Sequence, residues 1–446
     1  MSGLDLEELN DVAIGAAKRL GVDDAVALGA RSGESMIRFA NNSVTVVNRV
    51  EESELTVYLA KSSRRALAST SNLETAAVRR FVGDLFSSMR GLPESDYVPL
   101  PDKPSRYAPS RQGYDKRLES LEAELPGMAS SAIDSAAAAG GKRSAGVISA
   151  GKGTVAILTT AGTRGVDSRT AITLNIRSFA EKEASGHGLS CSSSLSGFNP
   201  EEAGRRAGEG AKSMRNASEP EAGKYTLLLS PTVASNLAET AASAASAFSV
   251  DAGTSYLADK LGKKVAAPSF SLTDHGVTEG GFGGRVFDDE GVATRSTKII
   301  KGGVLRSYLH NITTAKKWRV KSTGNAGFVS PHPWNLEIGA GDSSYDEMVS
   351  EMNTGIILTS NWYTRFKNYR TGEFSTVPRD GAYFVERGKV VKPLKGMRMG
   401  DDLERMFSSV TLLSKGREWI QWWEVDTPTL CPWVQVDGVR ITRAYG

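Results

Sequence analysis

The chain has 446 residues, 40% of them apolar and 24% charged, enough for two or three domains that each bury their own core. Its 54 Lys and Arg against 51 Asp and Glu leave a net charge of +3, spread along the chain rather than gathered in a block, which gives no support for nucleic-acid binding. No run approaches the roughly 20 apolar residues that a membrane span needs, so membrane insertion is not expected.

The opening stretch places Leu6, Leu9, Val12, Ala13, Ala16 and Leu20 at helical spacing and stops at Gly21, which predicts a helix over residues 5–20. It begins acidic and continues amphipathic, the reverse of a signal peptide, so a cytoplasmic protein is expected. From Asp24 to about Ser71, the runs DAVALGA, SMIRFA, SVTVVNRV and ELTVYLA alternate between polar clusters, the pattern of an antiparallel meander. Asn72 offers an N-cap for a helix from Leu73 to Arg90, and a Pro-rich connection, Leu92 to Pro109, leads to another helix near residues 115–139. Strand-like runs return at GVISAGKGTVAILTTAG and RTAITLNIRSFAEKE, followed by a helix over Pro200 to Met214. The polar segment NASEPEAGKY sets the main boundary near residue 220.

Beyond it, one helix (Thr232 to Phe248) precedes many short strands, which predicts a large curved or barrel-like sheet. The Ala/Ser-rich tract AETAASAASA fits a tightly packed helix better than a linker. The class is therefore α+β: an N-terminal α+β domain (1–110), a central α+β domain (111–219) and a C-terminal β-rich domain (220–446).

Cys191 and Cys431 stand far apart without a neighbouring thiol, so neither a CxxC pair nor a four-thiolate zinc site can form, and both read as buried thiols. His187, His275, His310 and His332 are scattered singly, without HExxH, and read as structural or surface residues. No G-x-S-x-G elbow points to a Ser-His-Asp triad. The run GGFGGR (280–285) leads into VFDDEG rather than a helix and lacks a Lys-Ser/Thr ending, so it reads as a flexible loop rather than a phosphate cradle. Asp288, Asp289 and Glu290 form an acidic cluster open to a substrate or partner role. The tract EWIQWWEVD suits either an interface or packing inside the β domain.

Several stretches, in order, resemble the TldD/PmbA peptidase family: RFANNSVTVVNRVEESELTVYL near the N-terminus, then GTSYLADKLGKKV (253–265), FDDEGVATRSTKIIKGGVLRSYL (287–309), KSTGNAG (321–327) and TPTL followed by VDGVRI (427–441). The resemblance implies a dimer enclosing a central cavity. In zinc-bearing members a C-terminal-domain helix carries His-Glu-x-x-x-His, and a cysteine upstream of TPTL adds a ligand. The equivalent positions here are AETAAS: Glu239 survives, but Ala238 and Ser243 stand at the two histidine positions, and SKGREWIQWWEVDTPTL holds no cysteine. An alanine methyl has no lone pair and a serine hydroxyl is a poor zinc ligand at neutral pH. No catalytic residue and no metal site is therefore expected in this chain. Glu239 reads as a solvated or salt-bridged helix residue, and the candidate substrate contacts are Gly253, Thr254, Ser255, Asp288, Asp289 and Glu290.

These departures resemble the PmbA (TldE) branch, which implies a metal-free subunit paired with a TldD-like partner that supplies zinc and cuts unfolded peptides. Two alternatives stand beside it. One is a stand-alone homodimeric hydrolase with a non-zinc centre at Glu239 or residues 288–290. The other is a non-catalytic peptide-binding regulator, in keeping with descriptions of the family as modulators of DNA gyrase.

Overall fold

The computed structural model describes residues 5–95, Leu100, Ser105, Tyr107 and residues 112–443. Most of the Pro-rich connection, and with it the expected boundary at residue 110, lies outside the described residues.

Helix α1 (Leu6–Arg19) opens on a reciprocal cap between Asp5 and Glu8 and buries Leu6, Leu9 and Ala13; Gly21, at φ 68°, takes the left-handed turn that follows it. Strands β1 (Asp24–Ala40), β2 (Ser43–Lys61) and β3 (Arg64–Thr70) form the expected meander. Asn41 and Asn42, at φ 50° and 64°, make the two-residue hairpin turn whose twist matches the strands. Helix α2 (Thr75–Ser88) begins after Glu74 rather than Asn72, and the helix expected at residues 115–139 splits into a 3-10 turn (Lys116–Ser120) and α3 (Leu125–Ala138). Strands β4 (Arg143–Thr159), β5 (Arg164–Glu181) and β6 (Ala184–Ser192) and helix α4 (Pro200–Ser213) complete this half.

The six strands make one antiparallel sheet, ordered β3-β2-β1-β4-β5-β6, because β1 pairs with β4 from Val26↔Thr159 to Phe39↔Gly146. One face takes α1 and α2 over Ala25, Ala27 and Leu55, and α3 over Ile37, Ile148 and Leu174. Each large side chain buried there contributes about 1.5–3 kcal/mol. The opposite face meets the C-terminal half, with Val26, Leu28 and Ile157 against Phe287. Among the described residues, β2 pairs from Ser43 to Glu54 with β1 alone, since β3 joins at Leu55. That free edge exposes Val44, Val46, Val47 (67%) and Val50.

The C-terminal half runs β7 (Gly223–Leu229), α5 (Pro231–Ala244), α6 (Ala247–Asp251), β8 (Leu272–His275), β9 (Ser296–Lys301), β10 (Val304–Leu305), α7 (Ile312–Trp318), β11 (Leu336–Ile338), α8 (Tyr345–Ser350) and β12 (Thr354–Leu358). It continues with β13 (Asn361–Asn368), β14 (Glu373–Pro378), β15 (Ala382–Glu386), β16 (Lys389–Pro393), β17 (Met397–Asp402), α9 (Leu403–Ser408), β18 (Val410–Trp422) and β19 (Val425–Arg443). The sheet follows β10-β9-β8-β11-β19-β7-β12-β15-β16, with β13, β14, β17 and β18 branching off around β19. It is curved and branched but not closed into a barrel. The expected helix at residues 232–248 ends at Ala244, and α6 resumes after Ser246. Helix α5 packs nearly all round: Val233, Ala234, Leu237, Ala238, Ala241 and Ala242 are buried, and the helix lies against β7, β11, β18 and β19. Small side chains are what let a helix sit that close to a sheet on several sides.

Candidate functional site

Helix α5 is anchored at its start. Pro231 takes the first position, where no N–H is needed, and the Ser230 hydroxyl donates to the Thr359 carbonyl at 2.8 Å. One turn on, Asn236 Nδ2 donates to the Glu424 carbonyl (2.6 Å), while its Oδ1 accepts from Asn361 Nδ2 (3.0 Å) and Thr364 Oγ1 (2.6 Å). The Glu424 carboxylate accepts from the Tyr363 and Thr364 N–H groups at 2.8 and 3.3 Å. This network ties α5 to β13 and to the turn between β18 and β19.

The motif positions lie on that helix. Ala238 is fully buried in the core, and its methyl group has no lone pair to offer. Glu239 Oε1 accepts from the Thr427 N–H at 2.5 Å, and Oε2 from the Asp426 N–H at 3.3 Å. Burial pushes its carboxyl above the usual range, and the Thr427 and Asp426 bonds pull the other way. Sequence reading expected a solvated or salt-bridged residue; Glu239 is half-buried and, among the described residues, makes no salt bridge, because α5 approaches the start of β19 so closely that its carboxylate serves two backbone donors. Ser243 is exposed one turn further on.

The segment where a ligand cysteine is expected, just before TPTL, does meet the motif helix, but it brings backbone N–H groups. Cys431 lies beyond it, buried, its thiol opposed by the Pro432 carbonyl at 3.4 Å. These residues do not fit a zinc ion: one methyl, one exposed hydroxyl and one carboxylate already engaged make no ligand set.

A cleft of about 330 Å³ opens beside Ser243, lined also by Thr240, Ser249, Thr254, Tyr256, Phe366 and Tyr369. Thr240 donates to the Asn236 carbonyl (3.1 Å), Ser249 to Ser243 (3.3 Å) and Thr254 to Ser249 (3.1 Å). With their protons spent on backbone, these hydroxyls present acceptor lone pairs. Phe366 and Tyr369 stack with centroids 5.4 Å apart, and Tyr369 is 60% exposed. Such a wall of rings above polar acceptors suits an extended peptide.

Of the candidate substrate contacts, Thr254 lines this cleft. Gly253, at φ 68°, turns the chain there, and its carbonyl accepts from Arg370 Nε at 2.8 Å. Ser255 is buried, donating to the Ala244 carbonyl at 2.6 Å and accepting from the Leu257 N–H at 3.0 Å. The acidic run lies elsewhere. Asp288 is fully buried and accepts from the N–H groups of Glu290, Val292 and Ala326 at 3.0, 2.9 and 3.0 Å. Asp289 pairs with Arg285, and Glu290 accepts from the Ile312 N–H at the start of α7 at 2.8 Å. Burial raises the carboxyls of both Asp288 and Glu290.

The four histidines stay apart, each with a local partner. His187 bonds Asn175 (2.9 Å) and Ser360 (3.3 Å), His275 bonds Ser296 and Glu337, His310 bonds Thr314, and His332 packs on Trp334. The GGFGGR run, expected as a flexible loop, is closely packed: a Cβ on Gly284 would lie 1.8 Å from the Gly276 carbonyl oxygen. In the tryptophan tract, Trp422 is buried against His187 and Trp362, while Trp423 is 48% exposed. Sequence reading missed Asn236, Asn361, Phe366 and Tyr369. Asn236 stood within reach of it, three residues before Glu239 on a helix; the others arrive only through the pairing of β13 with β14.

Residues 222–443 match the model of the PmbA/TldA metallopeptidase C-terminal domain, and residues 109–215 that of the central domain. A metalloprotease of Methanocaldococcus jannaschii is 31% identical over 206 residues, 44% of this chain and 44% of that one. Metalloprotease PmbA of Escherichia coli O157:H7 is 30% identical over 167 residues, 37% of this chain and 35% of that one. Each of these matches spans less than half of the relative's length. The fold is that of TldE from Thermococcus kodakarensis, with a TM-score of 0.88 at 18% identity, covering 98% of this chain and 99% of that one. Two family domains in sequence, on a backbone of this architecture, establish that the chain belongs to the PmbA/TldD metallopeptidase family.

Proposed function

We infer that this chain is the metal-free, TldE/PmbA-type subunit of a TldD/TldE heterodimeric metalloprotease, acting in the cytoplasm on unfolded peptides. The carrying observation is Glu239, whose carboxylate is bonded to the Asp426 and Thr427 N–H groups beside positions that hold Ala238 and Ser243. A zinc-activated water needs ligands and a free general base, and this helix supplies neither. The TldD-type partner supplies the zinc chemistry; this chain completes the cavity and holds peptide along the cleft at Thr254, Phe366 and Tyr369.

The free edge of β2 supports a partner. The outer edge of Ser43–Asn48 carries three exposed valines, Val44, Val46 and Val47, and no charge before Arg49, and an uncharged apolar edge is the kind that proteins otherwise cover or charge. Sedimentation of the chain with its organism's TldD-type protein tests the reading. A one-to-one complex is expected; two species that sediment independently would refute it.

A further inference from the structure

A second cleft, of about 590 Å³, lies at the other end of α5, between α4 and β6 on one side and the C-terminal half on the other. We propose that it binds a primary ammonium group of a peptide, seated on Asp380 Oδ2.

The Asp380 side chain has no solvent exposure and borders the cleft. Its Oδ1 is saturated, taking Arg177 Nε at 2.6 Å and the Ser185 hydroxyl at 2.5 Å. Its Oδ2 is buried without a partner, alone in this among the described residues that line the cleft. An unsatisfied carboxylate oxygen is costly to bury, and a donor that reaches it from the cleft, once the side chain shifts to expose it, removes that cost. Asp380 is also held at φ 61°, a conformation unfavourable for most residues other than glycine.

The surroundings select a cation. Glu202, Glu209, Glu418 and Asp380 line the cleft, against Arg205 and Arg206, so that even with Arg177 behind Asp380 one carboxylate is in excess. Both lining guanidiniums are engaged, Arg205 with Glu202 and Glu209 and Arg206 with Glu202 and Glu418, at 2.6 to 2.8 Å. Neither is left to attract an anion. Tyr345 and Trp433, with centroids 4.8 Å apart, add ring faces that favour an ammonium. The N-terminus of α5 opens here too, but Pro231 has no N–H and the Ser230 hydroxyl already accepts from Val233. A single ammonium, from a peptide N-terminus or a lysine side chain, satisfies Oδ2 and offsets the excess charge.

This proposal is independent of the subunit reading, because the test uses the chain alone, without partner or zinc. Calorimetric titration compares tetraalanine amide with a free N-terminus, its N-acetylated form, and N-acetyl-trialanyl-lysine amide. Binding of an ammonium-bearing peptide and none of the acetylated tetraalanine is expected. The first and third peptides tell the N-terminal source from the lysine source. Asp380→Asn, which presents an amide donor or a neutral oxygen, and Glu418→Gln on the rim should each weaken binding by at least about tenfold. Glu418→Gln keeps the test valid if Asp380→Asn fails to fold. Equal binding of the acetylated peptide, indifference to both substitutions, or no binding at millimolar peptide would overturn the proposal, the last meaning that water alone satisfies Oδ2.

Discussion

Glu239 stands where the family resemblance implies a motif glutamate, and it is bonded like a structural acceptor. Replacing it with alanine strips the Thr427 and Asp426 N–H groups of their partner, so Glu239→Ala should destabilise the chain by about 1–3 kcal/mol in urea unfolding. Cleavage by the assembled pair should stay within about twofold of wild type; a loss of about a hundredfold or more would mean general-base catalysis. The reverse experiment is Ala238→His with Ser243→His. Ala238 is fully buried, so the imidazole overpacks the core at a cost of about 1–3 kcal/mol, and metal analysis should find no stoichiometric zinc. His187 gives a pH signature. Burial holds its pKa at about 4, below its ordinary 6.5, so the unfolded chain binds the proton more readily. Stability should fall as pH drops from about 6.5 to about 4, by up to about 3 kcal/mol, and His187→Gln should remove that part of the slope. The departures at residues 238 and 243 were legible only through the family resemblance. That Glu239 accepts from the start of β19 was not, because Asp426 and Thr427 lie more than 180 residues away in sequence.

At the scale of elements, the free stretch of β2 makes the sharpest claim. Val47, the most exposed of its valines, should tolerate lysine with a change of about 0.5 kcal/mol or less, while Val47→Lys weakens association with the partner, read by sedimentation. Unchanged association would place the interface elsewhere. Period-2 alternation made the meander readable and period-3.6 spacing gave α1, since each pattern follows from which face is buried. The pairing of β1 with β4 was hidden, because strands separated by about a hundred residues share no local signal. The tryptophan tract divides in the same way: its composition allowed packing or exposure, and the fold uses it for both, with Trp422 inside and Trp423 outside.

Across the whole molecule, one six-stranded sheet spans the first two expected domains, and its second face receives the C-terminal half at Phe287 and Trp422. Both ends of α5 open onto clefts, about 330 Å³ at Ser243 and about 590 Å³ at Ser230, so this alanine-rich helix positions the walls of both. The class and the family's segments could be read from the sequence, because several fragments in order carry more information than any one of them. The acidic run 288–290 shows where that reading stopped: Asp288 and Glu290 accept from backbone N–H groups, which only the folded turn reveals. The most direct measurement pairs peptide cleavage with zinc analysis, on this chain alone and mixed with its organism's TldD-type protein. Zinc and cleavage in the mixture only, abolished by a chelator, is the predicted result. Chelator-resistant cleavage by the single chain would contradict it.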